Sequence, residues 1–458
     1  MKILKNITVF TMVMLLSVST VLEAREKNIS NFSSSASNLV DSTGTFDGNK
    51  IYADVANNGL FLDYHVSGDS ALEWPKGTGV HSIFQSALWM GATVNGSIRT
   101  IVGDYTQDMG PGPWGGDPLA AVHRIYKVEK SMLASPLDFA DFQEWPVEFG
   151  APWVDVDGDG VYTPLPGGTD HPEFLGDQVL WFVSNDGDPA YKLNFGTSPM
   201  NVEIQTTMFG FDRPDVFGDM VFLKQLVINK GSDDLVDTYM GLWSDPDLGY
   251  AGDDFVGCDV ALGMGYVWND GDDSQYSTLD IGTPAAGYDF FQGPMVPCED
   301  GDSEEVCPTE GAKMFGTRHP GMKNLKMSSF AFYINGDATY TDPSDETEGY
   351  FYLQGLRKDG SAYPAEIAGD LYDQRFCFYG DPNDSAGHST ANPVDGNYAA
   401  SADRRFLMSV GPFTMAAGDS QEVVFGIFHA AGGDALSSVA YLKEVDALAQ
   451  TAYDIDFA

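Results

Sequence analysis

Three apolar runs of strand length, each closed by an Asn-led turn, limit what this chain can fold into. Gly176–Ser184 runs into Asn185-Asp-Gly-Asp188, Gly218–Ile228 into Asn229-Lys-Gly231, and Val260–Trp268 into Asn269-Asp-Gly-Asp272. Apolar runs bounded by Asn and Gly read as strands with their turns. The three turns lie 44 and 40 residues apart, a spacing that a blade-like repeat would also give. The intervening sequence does not repeat, so strand-and-turn units of a β-sandwich are the preferred reading.

The same signals predict strands at Val202–Phe209, Thr238–Trp243, Ser328–Ile334, Phe351–Leu356, Phe406–Val410 and Glu422–Phe428, with a weaker one at Val122–Val128. Val202–Met208 and Glu422–Ile427 carry the β-branched and aromatic residues that strands favour. Ile83–Val94 ends at Asn95-Gly96, a strong hairpin dipeptide, and Ile98–Val102 returns as its partner. A turn at Ala417-Gly418-Asp419 joins the last two strands, as in the late part of an immunoglobulin-like sandwich. Only the end reads as helix. Leu436, Val439, Leu442, Val445, Leu448 and Ala452 keep a helical spacing, and Asp434 stands where an N-cap belongs. The predicted fold is therefore mainly β: an immunoglobulin-like or larger β-sandwich with long irregular loops and one C-terminal amphipathic helix. Scarce Lys and Glu, with 51 Gly and 24 Pro, agree with that class.

A length of 458 residues allows two to four domains. Residues 1–24 read as a secretory signal: Lys2 and Lys5, then an uncharged apolar run from Ile7 to Leu22, then Ala24. The Ser- and Asn-rich residues 25–45 read as a flexible leader. Residues 46–175 form an N-terminal β and loop region, and 176–458 the sandwich ending in the helix. No run after the signal reaches the ~20 apolar residues that a membrane span needs.

The formal net charge is −43, and −44 once residues 1–24 are removed. Such a charge repels nucleic acid and anionic membranes. It suits divalent cations or a solvated acidic surface in salty surroundings. Four cysteines in an exported chain imply disulfides. Cys298–Cys307, which closes a short acidic loop, is the favoured pair, leaving Cys258–Cys377.

The densest chemistry lies at Asp155-Val-Asp157-Gly-Asp159-Gly160. Carboxylates at loop positions one, three and five point at one centre, and a glycine at six permits the sharp turn. A backbone carbonyl then serves at seven, here that of Val161. Pro166 occupies position twelve, where an EF-hand has its bidentate acid, so Asp170 or Glu173 is needed to close the shell. The expected ion is Ca²⁺; a bare acidic turn is the alternative. A second acidic stretch, Asp245–Asp259, reads as a further metal site, a carboxylate-lined cleft or a solvated loop.

Catalytic signatures are sparse. The chain has no HExxH, no GxSxG and no phosphate-cradling glycine loop. Its seven histidines stand singly, and only His171 falls near the acidic loop. Paired carboxylates are all that a glycosidase requires, so a carbohydrate-active hydrolase drawing on Asp245–Asp259 is the competing expectation.

Glu144–Tyr162, Gly176–Trp181, Leu242–Gly249, Asp253–Asp259 and Gly287–Gly293 together resemble a group of large, functionally uncharacterised secreted proteins of Bacteroidetes-type and related marine bacteria. The resemblance spans roughly residues 50–455. It implies an exported protein, secreted or held at the cell surface. Members often carry fibronectin-like modules and a type IX secretion sorting domain after the helix; this chain stops at Ala458. The expectation is thus a calcium-binding extracellular protein with a binding, adhesive or structural role. Its ligand would be a polysaccharide or a surface protein, and a self-assembling subunit is a further alternative.

Overall fold

Val179, Trp181 and Val183 alternate with Leu180 and Phe182 along one strand, and all five are buried. Successive strand residues face opposite sides, so a strand with no polar face must be covered twice. The two sets join different cores: Leu180 and Phe182 one, Val179, Trp181 and Val183 the other. The sheet that holds this strand is the middle layer of the protein. The computed structural model describes residues 43–164, 170–314, 316–384 and 400–457. The expected signal, nearly all of the leader, Pro166 and His388 lie outside the described residues.

The middle sheet has nine strands. Its order is Asp254–Asp259, Met264–Asn269, Ala285–Gln292, Ser420–Ala430, Met220–Asn229, Val202–Gly210 and Gln178–Asn185, with Gly110–Pro111 and Tyr126–Glu129 both pairing on the last. A six-stranded sheet packs on one face. It runs Met327–Ile334, Arg404–Met415, Leu235–Asp245 and Gln85–Val94, the last flanked by Leu60–Leu62 and Ser97–Ile101. Neighbouring strands in both sheets are antiparallel. The seam between the sheets is aromatic, with Phe61 on Phe425 (ring centroids 5.3 Å apart) and Tyr288 edge-on to Phe406 (5.4 Å). The Tyr288 hydroxyl is shared with Ser86 and Ser244 across the seam, so this buried polar group is satisfied. The result is a large two-sheet β-sandwich.

The other face of the middle sheet is covered by the C-terminal helix Ala435–Asp454 and by the irregular segment before residue 154. The helix buries Val439, Leu442, Val445 and Ala449 against that face. Asp434 caps it, accepting the Ser437 N–H at 2.9 Å. Leu436 and Leu448, expected in the apolar stripe, are exposed, because the buried face is centred on Val439, Leu442, Val445 and Ala449. The Asn95-Gly96 hairpin forms as expected. Both residues take positive φ (51° and 81°), and Val94 pairs with Ser97.

Four expectations change. Phe351–Leu356 is not a strand. Glu346–Leu353 is a helix, capped by Asp345, which accepts the N–H groups of Thr347 and Glu348 at 2.9 Å each. It lies across the six-stranded sheet at Gly91, where any Cβ would stand 2.5 Å from the Tyr350 ring. Val122–Val128 divides into a 3-10 turn at Ala121–His123 and a strand at Tyr126–Glu129. The Cys298–Cys307 disulfide is present, whereas Cys258 and Cys377 are buried free thiols. Cys258 Sγ lies 3.4 Å from the backbone carbonyl of Cys377 and spends its hydrogen bond there. Finally, residues on either side of position 175 share both sheets: Gln85–Val94 pairs with Leu235–Asp245, and Tyr126–Glu129 with Gln178–Asn185.

Candidate metal centre

The acidic loop is the tip of a small hairpin. Trp153 pairs with Pro172 and Val154 with His171, so the next residues on the two arms, Asp155 and Asp170, come face to face. The base is fixed by aromatic packing. Trp153 meets Tyr162 edge-on at 5.6 Å, and the Tyr162 hydroxyl donates to the Phe142 carbonyl at 2.6 Å. Gly158 and Gly160 take φ of 77° and 76°, the left-handed turn conformation that glycine adopts without cost.

Within the loop the carboxylates are held by backbone N–H groups. Asp155 accepts from Gly158 (2.7 Å) and Gly160 (2.9 Å), Asp157 from Asp159 (3.2 Å), and Asp159 from Val161 (2.7 Å). Asp170 lies beneath, almost fully buried. Its Oδ1 accepts the Val156 N–H at 3.0 Å, and its Oδ2 accepts the Thr163 N–H at 2.7 Å and the Thr163 hydroxyl at 3.2 Å. One oxygen from each of Asp155, Asp157, Asp159 and Asp170 comes within 4.8 Å of the other three. Opposite oxygens of a Ca²⁺ shell, each 2.3–2.6 Å from the ion, stand about 4.6–5.2 Å apart. The four carboxylates therefore converge at a span that fits such a shell.

Electrostatics in the loop are divided. Burial pushes the Asp170 carboxyl up, but the Thr163 and Val156 N–H groups outweigh it and hold it below the ordinary range. Asp157 accepts one stabilising N–H, yet desolvation and the facing carboxylates of Asp159, Asp170 and Asp155 leave it above the ordinary value. Asp170 is thus held as an anion, and Asp157 resists a further negative charge that a cation would offset.

Of the residues expected at this centre, Asp155, Asp157, Asp159 and Asp170 come together. Val161 sits at the loop exit, its N–H capping Asp159. Glu173 falls outside the group, one step farther down the hairpin, with its N–H on the Pro152 carbonyl. His171 turns away, its ring stacked on Phe174 and its Nδ1 2.8 Å from the Pro172 carbonyl.

The second acidic stretch comes apart. Asp245 is buried at a strand end beside Asp247 and is met by Asp403, which lies just ahead of the strand Arg404–Met415. The Arg405 guanidinium occupies the middle, 2.9 Å from Asp245 and 2.6 Å from Asp403, and Tyr105 donates its hydroxyl to Asp245 at 2.8 Å. Burial pushes Asp245 well above the ordinary range, Arg405 opposes it, and Asp247 and Asp403 add to the rise. Asp254 is buried and bonded to the Asn269 amide at 3.1 Å, Asp253 to the same amide at 2.8 Å, and Asp259 pairs with Lys443 at 3.0 Å. These acids hold the fold through internal partners.

Sequence reading missed the buried groups whose partners are remote: Arg405 with Asp245, Lys192 with Asp108, and Asp289 with Asp446. A charged residue inside an apolar strand, as at Asp289, is the one local signal for such a pair. Among the described residues no helix is long and apolar enough to cross a membrane. The chain matches no protein-family model, and no curated protein is significantly similar to it in sequence.

Proposed function

We propose that this is an exported, calcium-binding β-sandwich protein that acts at the cell surface or outside the cell, in binding or adhesion. The observation that carries the reading is the convergence of Asp155, Asp157, Asp159 and Asp170 at a calcium-sized span on a pinned hairpin. Asp155, Asp157, Asp159, Asp170 and the Val161 carbonyl would hold the ion. The doubly charged ion would offset half of the four negative charges and fix a loop that otherwise rests on backbone N–H contacts and the Thr163 hydroxyl. The apolar segment at residues 1–24 supports export, and the strong negative charge favours cations over nucleic acid. The partner is an extracellular polysaccharide or surface protein. Since the ion binds the folded loop and not the unfolded chain, it adds RT ln(1 + [L]/Kd), about 2.7 kcal/mol at a hundredfold excess over Kd. The test is thermal unfolding with Ca²⁺, with Mg²⁺ and with chelator. Calcium should raise the midpoint and chelator lower it, and Asp157→Asn with Asp159→Asn should remove the difference. An identical midpoint in calcium and chelator would refute the metal.

A further inference from the structure

Lys192 is the least expected residue of the sandwich. Its side chain is wholly shielded from solvent, as are those of Asp108 (2% exposed) and Asp186 (0%). The amine donates to Asp108 Oδ2 at 2.7 Å and to the Thr100 carbonyl at 2.7 Å, and it stands 3.8 Å from Asp186 Oδ2. The two carboxylates are held differently. Asp186 accepts the Val202 N–H on Oδ1 and the Met200 N–H on Oδ2, both at 2.7 Å, so both of its oxygens are held in place. Asp108 accepts the Val102 N–H at 3.0 Å on Oδ2, while its Oδ1 is buried with no hydrogen-bond partner.

We propose that Lys192 and Asp108 condense to an intramolecular isopeptide bond, with Asp186 as the proton relay. A salt bridge sealed from water costs desolvation on both ions, and moving one proton from the ammonium to the carboxylate abolishes both charges. Burial already pushes the Asp108 carboxyl up to about 6, against the opposing pull of Lys192. In the resulting neutral pair the acid proton rests on Oδ1, the oxygen that accepts no N–H, while the amine keeps its contact with Oδ2. A nitrogen this close to Oδ2 stands near the ~3–3.5 Å approach of reacting atoms to Cγ. The nitrogen lone pair attacks Cγ and forms the N–C bond. The developing charge on Oδ2 meets the Val102 N–H, which stands where an oxyanion donor is needed. Asp186 takes the second proton from nitrogen and returns it to the departing oxygen. The Cγ–Oδ1 bond breaks and water leaves. Oδ1 is the oxygen that gives up no hydrogen bond in doing so. The overall change is ammonium plus carboxylate to amide plus water, with no oxidant, reductant or cofactor.

The bond would tie two points 84 residues apart and close a covalent loop around the hairpin that bears the acidic centre. It forms whether or not that centre binds a metal. Tryptic mapping of the full chain, denatured and reduced, tests it without any variant. The expected result is peptide 100–124, which contains Asp108, joined to the peptide containing Lys192, uncut at Lys192 and lighter by one water than the sum. Lys192→Arg, which keeps the charge but removes the attacking amine, should release both peptides. Recovery of peptide 100–124 only in its free form, with full cleavage after Lys192 in the unmodified chain, would overturn the proposal.

Discussion

The contact between Asp289 and Asp446 sets a pH dependence that can be worked through. Asp289 lies in the strand Ala285–Gln292, Asp446 on the C-terminal helix, and both are buried. Beyond a weak contact from the Phe290 N–H the Asp289 oxygens have no protein donor, and the two carboxyls face each other, so a shared proton supplies the hydrogen bond between them. Burial pushes Asp446 up to about 7, opposed by the bond from Asp289 and reinforced by the Asp259 charge. Burial and the Asp446 charge likewise hold Asp289 well above the ordinary carboxylate range. Lys443, the cation on this stretch of helix, is engaged by Asp259 and Asp381 at 3.0 and 2.9 Å.

In the unfolded chain an aspartate ionises near 3.8. Between that value and about 7 the native state holds a proton that the unfolded state has lost. The Asp446 contribution is therefore fully present below the unfolded value and is lost as pH rises through the folded one. From pH 5 to pH 8 the loss spans two units, on the order of 3 kcal/mol at 1.36 kcal/mol per unit. Other buried carboxyls add slopes of the same sign, so the informative quantity is a difference between proteins. Urea unfolding at pH 5, 6, 7 and 8 should show the unmodified chain losing more stability than Asp446→Asn, by roughly that amount. Equal losses in the two proteins would show that no proton is shared at the helix interface.

Three further outcomes are expected. Leu442→Ala opens a cavity under the C-terminal helix and should cost about 2–5 kcal/mol in chemical denaturation, while Leu448→Ala, on the exposed side, should cost little. Arg405→Met strands Asp245 in the interior and should destabilise by about 3–5 kcal/mol at pH 8, with part of the loss recovered as pH falls, since burial already raises the Asp245 carboxyl and loss of Arg405 raises it further. Reduction of Cys298–Cys307 releases a loop with a sequence separation of only nine and should lower stability by no more than about 3 kcal/mol.

The strands were legible wherever alternation or an unbroken apolar run met an Asn or Gly turn, as at Gln178–Asn185 and Met220–Asn229. Such patterns report burial directly, one face or two. The helix Glu346–Leu353 was misread because Tyr350, Phe351 and Tyr352 favour strands by composition. The better signal was Asp345 followed three residues later by Glu348, which marks a helix start. At the acidic loop, local spacing was enough for Asp155, Asp157 and Asp159, since neighbours in a tight turn must converge. Asp170 rather than Glu173 was a matter of hairpin register, which the Pro- and Gly-containing stretch before Asp170 does not announce in sequence. The Asp245 group was not legible at all. Its cation, Arg405, lies 160 residues along the chain, and only the pairing of two remote strands brings it there.

Calcium binding itself is measured by equilibrium dialysis of the chelator-stripped full chain against labelled Ca²⁺, beside Asp155→Asn with Asp157→Asn. The unmodified chain should retain a saturable ion with a dissociation constant of roughly 10⁻⁴–10⁻³ M or tighter, the range of extracellular calcium modules, and the double variant should lose it. Retention of no ion by the unmodified chain, or equal retention by the variant, would contradict the assignment of the acidic hairpin as a metal centre.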